Sequence, residues 1–284
     1  MLVSTPIGNL GDMTSRAVRT LQAADLVLCE DTRVTARLAT AFNIGTRMLP
    51  LHEHNEDRQT ETVLAMLRAG RRVALVSDAG TPLLSDPGFR LVRAALAAGL
   101  PVGGVPGANA AILALTLSGL PPQPFLFVGF PPPKQAARRA DFERLRGAER
   151  AGLSATLVFY EAPHRLAESL ADMVVAFAGR PAAVARELTK RFEEVRRASL
   201  PVLAAHYAEH QARGEITIVV GPAPEEIVAA DRLDELLRAA LAIAPLKQAV
   251  AVVTAATGLP RRQVYARALA LRDGSSPAEP GLPA

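Results

Sequence analysis

Short apolar runs alternate with longer Ala-rich stretches along most of this chain, and that alternation limits the possible fold more than any other feature. A first run precedes Thr5, and β-branched or apolar runs follow at 26–30, 72–77, 102–105, 125–130, 156–161, 182–187 and 216–220. Short strands alternating with helical patterns are the signature of βαβ units, so an α/β architecture with a largely parallel sheet is expected, at least in the first half. The stretch from 94 to 133 carries no charge, yet Gly99, Pro101, Gly103, Gly104, Pro106, Gly107 and Gly119 interrupt it. A membrane-spanning helix needs about 20 continuous apolar residues. Buried strands, turns and one core helix are expected there instead.

Two Pro-rich junctions divide the chain: GLPPQP at 119–124 and GPAPEE at 221–226. They suggest one α/β half over 1–120, a second over 121–222, and a terminal module over 230–272. At 284 residues the length fits about two domains of ordinary size. From Arg232 to Arg272 the module holds seven basic residues against two acidic ones, which leaves the rest of the chain about neutral within a net charge of +4. Its apolar spacing at Leu233, Leu236, Leu237, Ala240 and Leu241 predicts a helix. A second helix is expected over 247–257, ended by Gly258, and a basic third one opens at Pro260. This is a helix-turn-helix-like pattern, with a small solvated bundle as the alternative. The tail over 273–284 is Gly, Ser, Pro and Ala-rich and is expected to be disordered.

Composition excludes other classes. With 49% hydrophobic and 21% charged residues the bulk of the chain is not intrinsically disordered. One cysteine, Cys29, rules out an internal disulfide, and no tight Cys or His cluster offers a structural zinc site. The start lacks the basic and apolar segments of a secretion signal, so a reducing, cytoplasmic setting is expected.

Ligands of α/β sheets bind beyond the carboxyl ends of the strands, so the loops after the runs are the candidates for chemistry. TPIGNLGD (5–12) allows close backbone approach through two glycines but matches neither a dinucleotide-binding loop nor a P-loop. SDAGTPLLSDPG (77–88) is a long polar turn that either wraps a ligand or forms a series of Asx turns. VPGANA (105–110) opens an apolar helix and offers free amides. EDTR (30–33), GF (129–130), YEAPHR (160–165) and ARELTK (185–190) complete the set; the charged groups in the last two also fit surface ion pairs.

Taken in chain order, with EDTR second, the blocks closely resemble the ribosomal RNA small subunit methyltransferase I family of the tetrapyrrole methylase superfamily, over about residues 2–221, with the helical module matching as well. The resemblance implies a two-domain α/β body, a mostly parallel sheet followed by a mixed one, and a small C-terminal helical module. It further implies S-adenosylmethionine as cofactor, the ribose 2′-hydroxyl of a cytidine in the decoding region of 16S rRNA as substrate, in free RNA or the small ribosomal subunit, and a homodimer. Carried over by position, Pro6, Ile7, Gly8, Asp78, Ala79, Gly80, Thr81, Pro82, Ala108, Asn109 and Ala110 would hold the methionine and ribose parts, and Glu161, Leu188 and Ile216 the adenine. Asn109 stands where Ser or Thr is usual, and Ala162 where Ser is common.

Methyl transfer from a sulfonium is an in-line displacement, in which alignment dominates and a carboxylate can take the hydroxyl proton. Asp31, Glu161 and His164 are the catalytic candidates. Arg33, Lys134, Arg138, Arg139, Arg165 and Lys190, with Arg261, Arg262 and Arg267 of the module, are candidates for RNA phosphates. A tetrapyrrole methylase of the precorrin type and a ligand-sensing, DNA-binding regulator are the alternative functions.

Overall fold

The computed structural model describes residues 1–52 and 55–272; the tail expected to be disordered lies outside the described residues. Five strands form a first sheet in the order β3-β2-β4-β1-β5, from β1 (Leu2–Val3), β2 (Leu26–Cys29), β3 (Met48–Pro50), β4 (Val73–Leu75) and β5 (Gly104–Val105). Every pairing in it is parallel. Parallel neighbours require crossovers, which α1 (Ser15–Gln22), α2 (Thr32–Ala41), α3 (Glu56–Arg68) and α4 (Phe89–Ala97) supply. Alternation within β2 sets the two faces: Val27 and Cys29 pack with Ala17, Leu21 and Ala39, whereas Leu26 and Leu28 pack with Val63 and Leu91.

The second sheet runs β6-β7-β10-β8-β9 and is mixed. Here β6 (Phe125–Gly129) and β7 (Thr156–Glu161) are parallel, while β8 (Pro181–Arg186), β9 (Glu194–Ser199) and β10 (Ile216–Val220) continue antiparallel. On one face, Leu157, Phe159, Val184 and Ile218 join Phe142, Leu170 and Leu203 of α6 (Gln135–Arg150), α7 (Leu166–Phe177) and α8 (Leu200–Glu209). On the other, Val158, Ala183, Ala185 and Val219 pack on α5 (Ala110–Ser118). Thus α5 follows the last strand of the first sheet but is buried against the second, and the structural division falls ahead of it instead of at residue 120. Its sequence, AAILALTLS, is apolar around most of its circumference and cannot remain uncovered.

Strands β3 and β9 had no counterpart among the apolar runs. The first has three half-buried residues, and the second, EVRRAS, is a charged edge strand whose Glu194 lies opposite Arg186 and pairs with it at 2.7 Å.

The C-terminal helices α9 (Glu225–Ile243), α10 (Leu246–Thr257) and α11 (Arg261–Arg272) enclose Leu233, Leu237, Val250, Val253, Val264 and Ala268. Helix α9 begins five residues before the expected start of the module at 230, directly after Pro224. Gly258, at φ +68°, ends α10 as expected. Asp231 of α9 pairs with Arg146 of α6, which fixes the module to the second domain. No helix among the described residues is long and apolar enough to cross a membrane.

A candidate active-site cleft between the two sheets

The loops after β1 and β4 lock together at the carboxyl ends of the first sheet. Thr5 and Gly80 exchange both backbone hydrogen bonds, at 2.9 and 3.1 Å. Gly80 sits at φ +77°, and a Cβ there would lie 3.2 Å from Ile7 Cγ2 and 3.5 Å from the Ala108 carbonyl, so the position favours glycine on both grounds. The Thr81 hydroxyl donates to the Ala108 carbonyl at 3.2 Å, which joins this loop to the one after β5. Asn109 caps α5, its side-chain oxygen accepting the Ile112 amide at 3.0 Å. Asparagine therefore performs locally the capping that Ser or Thr would.

Between these loops and the second sheet lies a cavity of about 380 Å³. Of the residues expected to hold a cofactor, Ile7, Asp78, Ala79, Gly80, Thr81, Ala110, Glu161, Leu188 and Ile216 line it. Pro6 and Gly8 line an adjoining cavity of about 290 Å³ that shares Ile7, Asp78, Ala79 and Glu215 with the first. Pro82, Ala108 and Asn109 line neither cavity; the Ala108 carbonyl accepts the Thr81 hydroxyl and Asn109 caps α5. Its wall also includes Leu84, Ser85, Asp86, Phe130, Tyr160, Glu215 and Thr217, which the sequence reading did not single out. Asp86 lies in the second half of the SDAGTPLLSDPG block, and Phe130 and Tyr160 in GF and YEAPHR, so the signal was present in blocks already noted. The two rings pack together at 5.6 Å on one side of the cavity.

Two features distinguish this wall. Its charged residues are Asp78, Asp86, Glu161 and Glu215, with no Lys or Arg among the described residues that line it. Burial, with repulsion from Glu30 and Asp78 added and a Ser77 hydrogen bond opposing, pushes the Asp86 carboxyl up to about 6. Burial likewise pushes the Tyr160 phenol up. The second feature is backbone strain: of the six non-glycine residues with positive φ among the described residues, Leu83, Ser85, Glu187 and Thr189 fall in the two loops that frame the cavity. Such conformations cost of order 1 kcal/mol or more each and concentrate at functional sites.

The catalytic candidates are placed differently from one another. Asp31 caps α2, accepting the Arg33 amide at 2.8 Å and pairing with the Arg33 guanidinium at 2.6 Å. That contact pulls its carboxyl down to about 2. It does not line either cavity, although its amide donates to Asp78 Oδ1 at 3.0 Å. Glu161 is 2% exposed. It accepts the Ala162 amide at 2.8 Å and the Ser169 hydroxyl, and Arg165 Nε lies 3.4 Å away. His164 is exposed on the turn beyond β7 and lines neither cavity.

The expected RNA contacts require two corrections. Arg138 is fully buried and pairs with Asp172 of α7 at 2.6 Å, because its position on α6 places it on the same inward stripe as Phe142. Arg267 is bidentate to Asp234, both bonds at 2.5 Å, and so braces α11 against α9. The Arg138 guanidinium is closed off from any phosphate, and that of Arg267 is taken up by Asp234 while remaining partly exposed. Arg165 donates to the carbonyls of Pro131 and Pro132, and Lys190 is held by Glu187 and Glu215 at 2.8 and 3.3 Å. Arg139 is half-exposed while sharing Asp172. Lys134, Arg33, Arg261 and Arg262 are exposed, Arg33 in its pair with Asp31.

Residues 1–204 match the family model for tetrapyrrole (corrin/porphyrin) methylases, and residues 226–272 match that for the RsmI C-terminal HTH domain. The chain belongs to the tetrapyrrole methylase family. Within it, the chain is 46% identical over 282 residues to the ribosomal RNA small subunit methyltransferase I of Mesorhizobium japonicum, covering 99% of this chain and 94% of that one. It is also 46% identical to the enzyme of that name from Pseudomonas aeruginosa, covering 97% and 98% of the two chains. The fold is shared with uroporphyrin-III C-methyl transferase from Thermus thermophilus, complexed with S-adenyl homocysteine, at TM-score 0.51 and 21% identity over 77% of this chain and 95% of that one. The match to the RsmI C-terminal HTH domain thus coincides with α9 to α11.

Proposed function

We propose that this methylase transfers the methyl group of S-adenosylmethionine to the ribose 2′-hydroxyl of a cytidine in the decoding region of 16S rRNA. The observation that carries the reading is a cavity wall whose charged lining residues are all acidic: Glu161 and Glu215 are paired with Arg165 and Lys190, which leaves Asp78 and Asp86 as the charges complementary to a positively charged sulfonium. At about 380 Å³ the cavity lies within the usual range of about 300–1,000 Å³ for cofactor sites. The two relatives named above are ribosomal RNA methyltransferases. A tetrapyrrole bears several carboxylates of its own, for which this wall has no cation.

S-Adenosylmethionine supplies a methyl group activated by its bond to a cationic sulfur. The chain provides the alignment. Ile7, Leu188 and Ile216 offer apolar contact for the adenosine, and the loop at 78–81 offers backbone amides and the Asp78 carboxylate for the ribose and methionine portion. Glu161, fixed by Ser169 and the Ala162 amide, acts by orienting the end of β7 and keeping a negative charge at the cavity wall. Asp31 organises the start of α2 and, through its amide, the orientation of Asp78. His164 and Arg33 are assigned to the RNA side of the cleft. Lys134, Arg139, Arg261 and Arg262 are the outer cations for RNA phosphates, a division that keeps phosphate away from the acidic wall. We assign the enzyme to the cytoplasm, consistent with its buried, unpaired Cys29. We also assign it a homodimeric state, for which exposed side chains such as Phe89 and Phe192 offer apolar surface.

The test is transfer of labelled methyl from S-adenosylmethionine to small ribosomal subunits lacking the modification, with mapping of the product. Label on a single cytidine ribose is the expected result. Label on a base, or none, overturns the proposal.

A further inference from the structure

We infer that Asp86 is the proton acceptor of the transfer and that the charge of the bound cofactor sets its protonation state. The inference rests on the function proposed above and assigns a role to a residue outside the catalytic candidates.

Its position comes first. Asp86 lies on the cavity wall in the loop between β4 and α4. Anchors on both sides of it hold the loop in a strained conformation. Leu83 and Ser85 sit at φ +75° and +69°. The Leu83 side chain packs into the core beside Leu75. A Cβ on Gly88 would fall 2.5 Å from Leu75 Cδ2 and 2.9 Å from Leu83 Cδ2. The backbone near Asp86 is thus wedged, and its side chain is presented to the cavity by a segment with little freedom to withdraw.

The surroundings come second. Glu30 beyond β2 and Asp78 beyond β4 act on its carboxyl with like charge, and the nearby Ser77 hydroxyl, which donates to the Ala79 carbonyl at 3.1 Å, opposes them. From the second sheet, Tyr160 of β7 feels the Asp86 charge, while Glu215 is occupied by Lys190. The charged groups that act most on the carboxyl, Glu30 and Asp78, are both acidic, while Glu161 on the same wall is paired with Arg165. It therefore retains its proton to about pH 6, well above an ordinary aspartate. A sulfonium within the cavity reverses the balance, since a nearby cation favours the ionised carboxylate. Cofactor binding then expels the proton from the molecules that still carry it, about half of them at pH 6 and few at pH 7, and holds the carboxylate ready as the base.

In the transfer, the ribose oxygen bonds to the methyl carbon as the carbon–sulfur bond breaks and its electron pair returns to sulfur. The hydroxyl proton passes to Asp86. With the sulfur now neutral, Asp86 again has its raised affinity and releases the proton to solvent at neutral pH. A base with a pKa near the working pH combines availability with driving force.

Calorimetry at pH 6, in buffers of different ionisation enthalpy, reads the proton balance directly. For a roughly tenfold fall in the proton affinity of Asp86 on binding, S-adenosylmethionine should displace ~0.4 proton per site from the wild-type protein, about half of which is protonated there, whereas S-adenosylhomocysteine should displace almost none. Asp86→Asn should abolish the release, and Asp86→Glu should retain it. In the wild type alone, the preference for S-adenosylmethionine over S-adenosylhomocysteine should fall about fivefold from pH 7 to pH 5. In single-turnover methylation of small subunits, Asp86→Asn should slow the step by about 10²-fold or more, with partial recovery in Asp86→Glu. Proton release of equal size in Asp86→Asn, or binding of S-adenosylmethionine by the wild type with no release and no change of preference with pH, overturns the role of Asp86. Absence of S-adenosylmethionine binding would instead remove the proposed function itself.

Discussion

Glu149 is the residue whose loss should cost this fold most for the fewest atoms changed. Its side chain is 1% exposed, and its two oxygens receive Arg180 at 2.6 Å each and Arg146 at 3.1 Å. The three residues come from α6 and from the turn before β8, and Arg146 continues to Asp231 of α9. In Glu149→Gln the shape and one acceptor remain, but the Arg180 guanidinium, only 3% exposed, loses its counter-charge and keeps the Gly221 carbonyl and the Phe177 ring. Breaking a buried pair by removing one partner costs about 3–5 kcal/mol. Because Arg146 still has Asp231, the lower half of that range applies. At about 2–4 °C per kcal/mol for a domain of 150–250 residues, the melting temperature should fall by about 10 °C. Thermal and urea unfolding followed by circular dichroism measures both quantities. Adding Arg180→Leu should recover part of the loss, since the unpaired charge is then no longer buried. A loss below about 1 kcal/mol in the single variant, or a double variant no more stable than the single, would refute the assignment of this pair as a buried, mutually dependent unit.

Further predictions concern the cleft and the RNA surface. Gly80→Val should reduce S-adenosylmethionine affinity at least tenfold in calorimetry, because a branched side chain at φ +77° meets Ile7 while the left-handed backbone opposes it. Replacing Arg261 and Arg262 together with Ala should lower the slope of log affinity against log salt for RNA by about 1–2 units in filter binding and leave cofactor affinity unchanged. Arg138→Ala should instead leave that slope intact and lower the melting temperature, since its partner is Asp172 in the interior. Phe130→Ala removes a ring that is 54% exposed at the cavity edge. It should weaken binding of a short RNA by about 1–3 kcal/mol if the ring stacks on a base.

What could be read from the sequence depended on whether the cause was local. Strands β7 and β10 were bounded correctly end to end, because β-branched runs flanked by turn residues encode a buried strand within a few positions. Strand β9 was missed since its pairing comes from Arg186 across the sheet and not from its own hydrophobicity. Arg138 and Lys134 look alike in a basic turn, and only Asp172, 34 residues from Arg138, makes the former interior. The cofactor loops stood out as Gly, Pro and Asp clusters. Asp86 did not, for its proton affinity comes from burial and from Glu30, more than fifty positions earlier in the chain. The module boundary was displaced because the expected start at 230 followed the apolar spacing from Leu233 onward, whereas α9 begins at Glu225, directly after Pro224.

Helix α5 has a consequence for dissecting this enzyme. The linker at 119–124 is the natural place to cut the gene, yet a fragment ending there would carry a greasy helix torn from its bed on the other half. The remainder would expose Val158, Ala183 and Val219 to water. A cut ahead of the helix spares both pieces but severs the VPGANA loop. No scission therefore yields two well-behaved fragments with an intact donor site, and the halves should be inherited, expressed and melted as one.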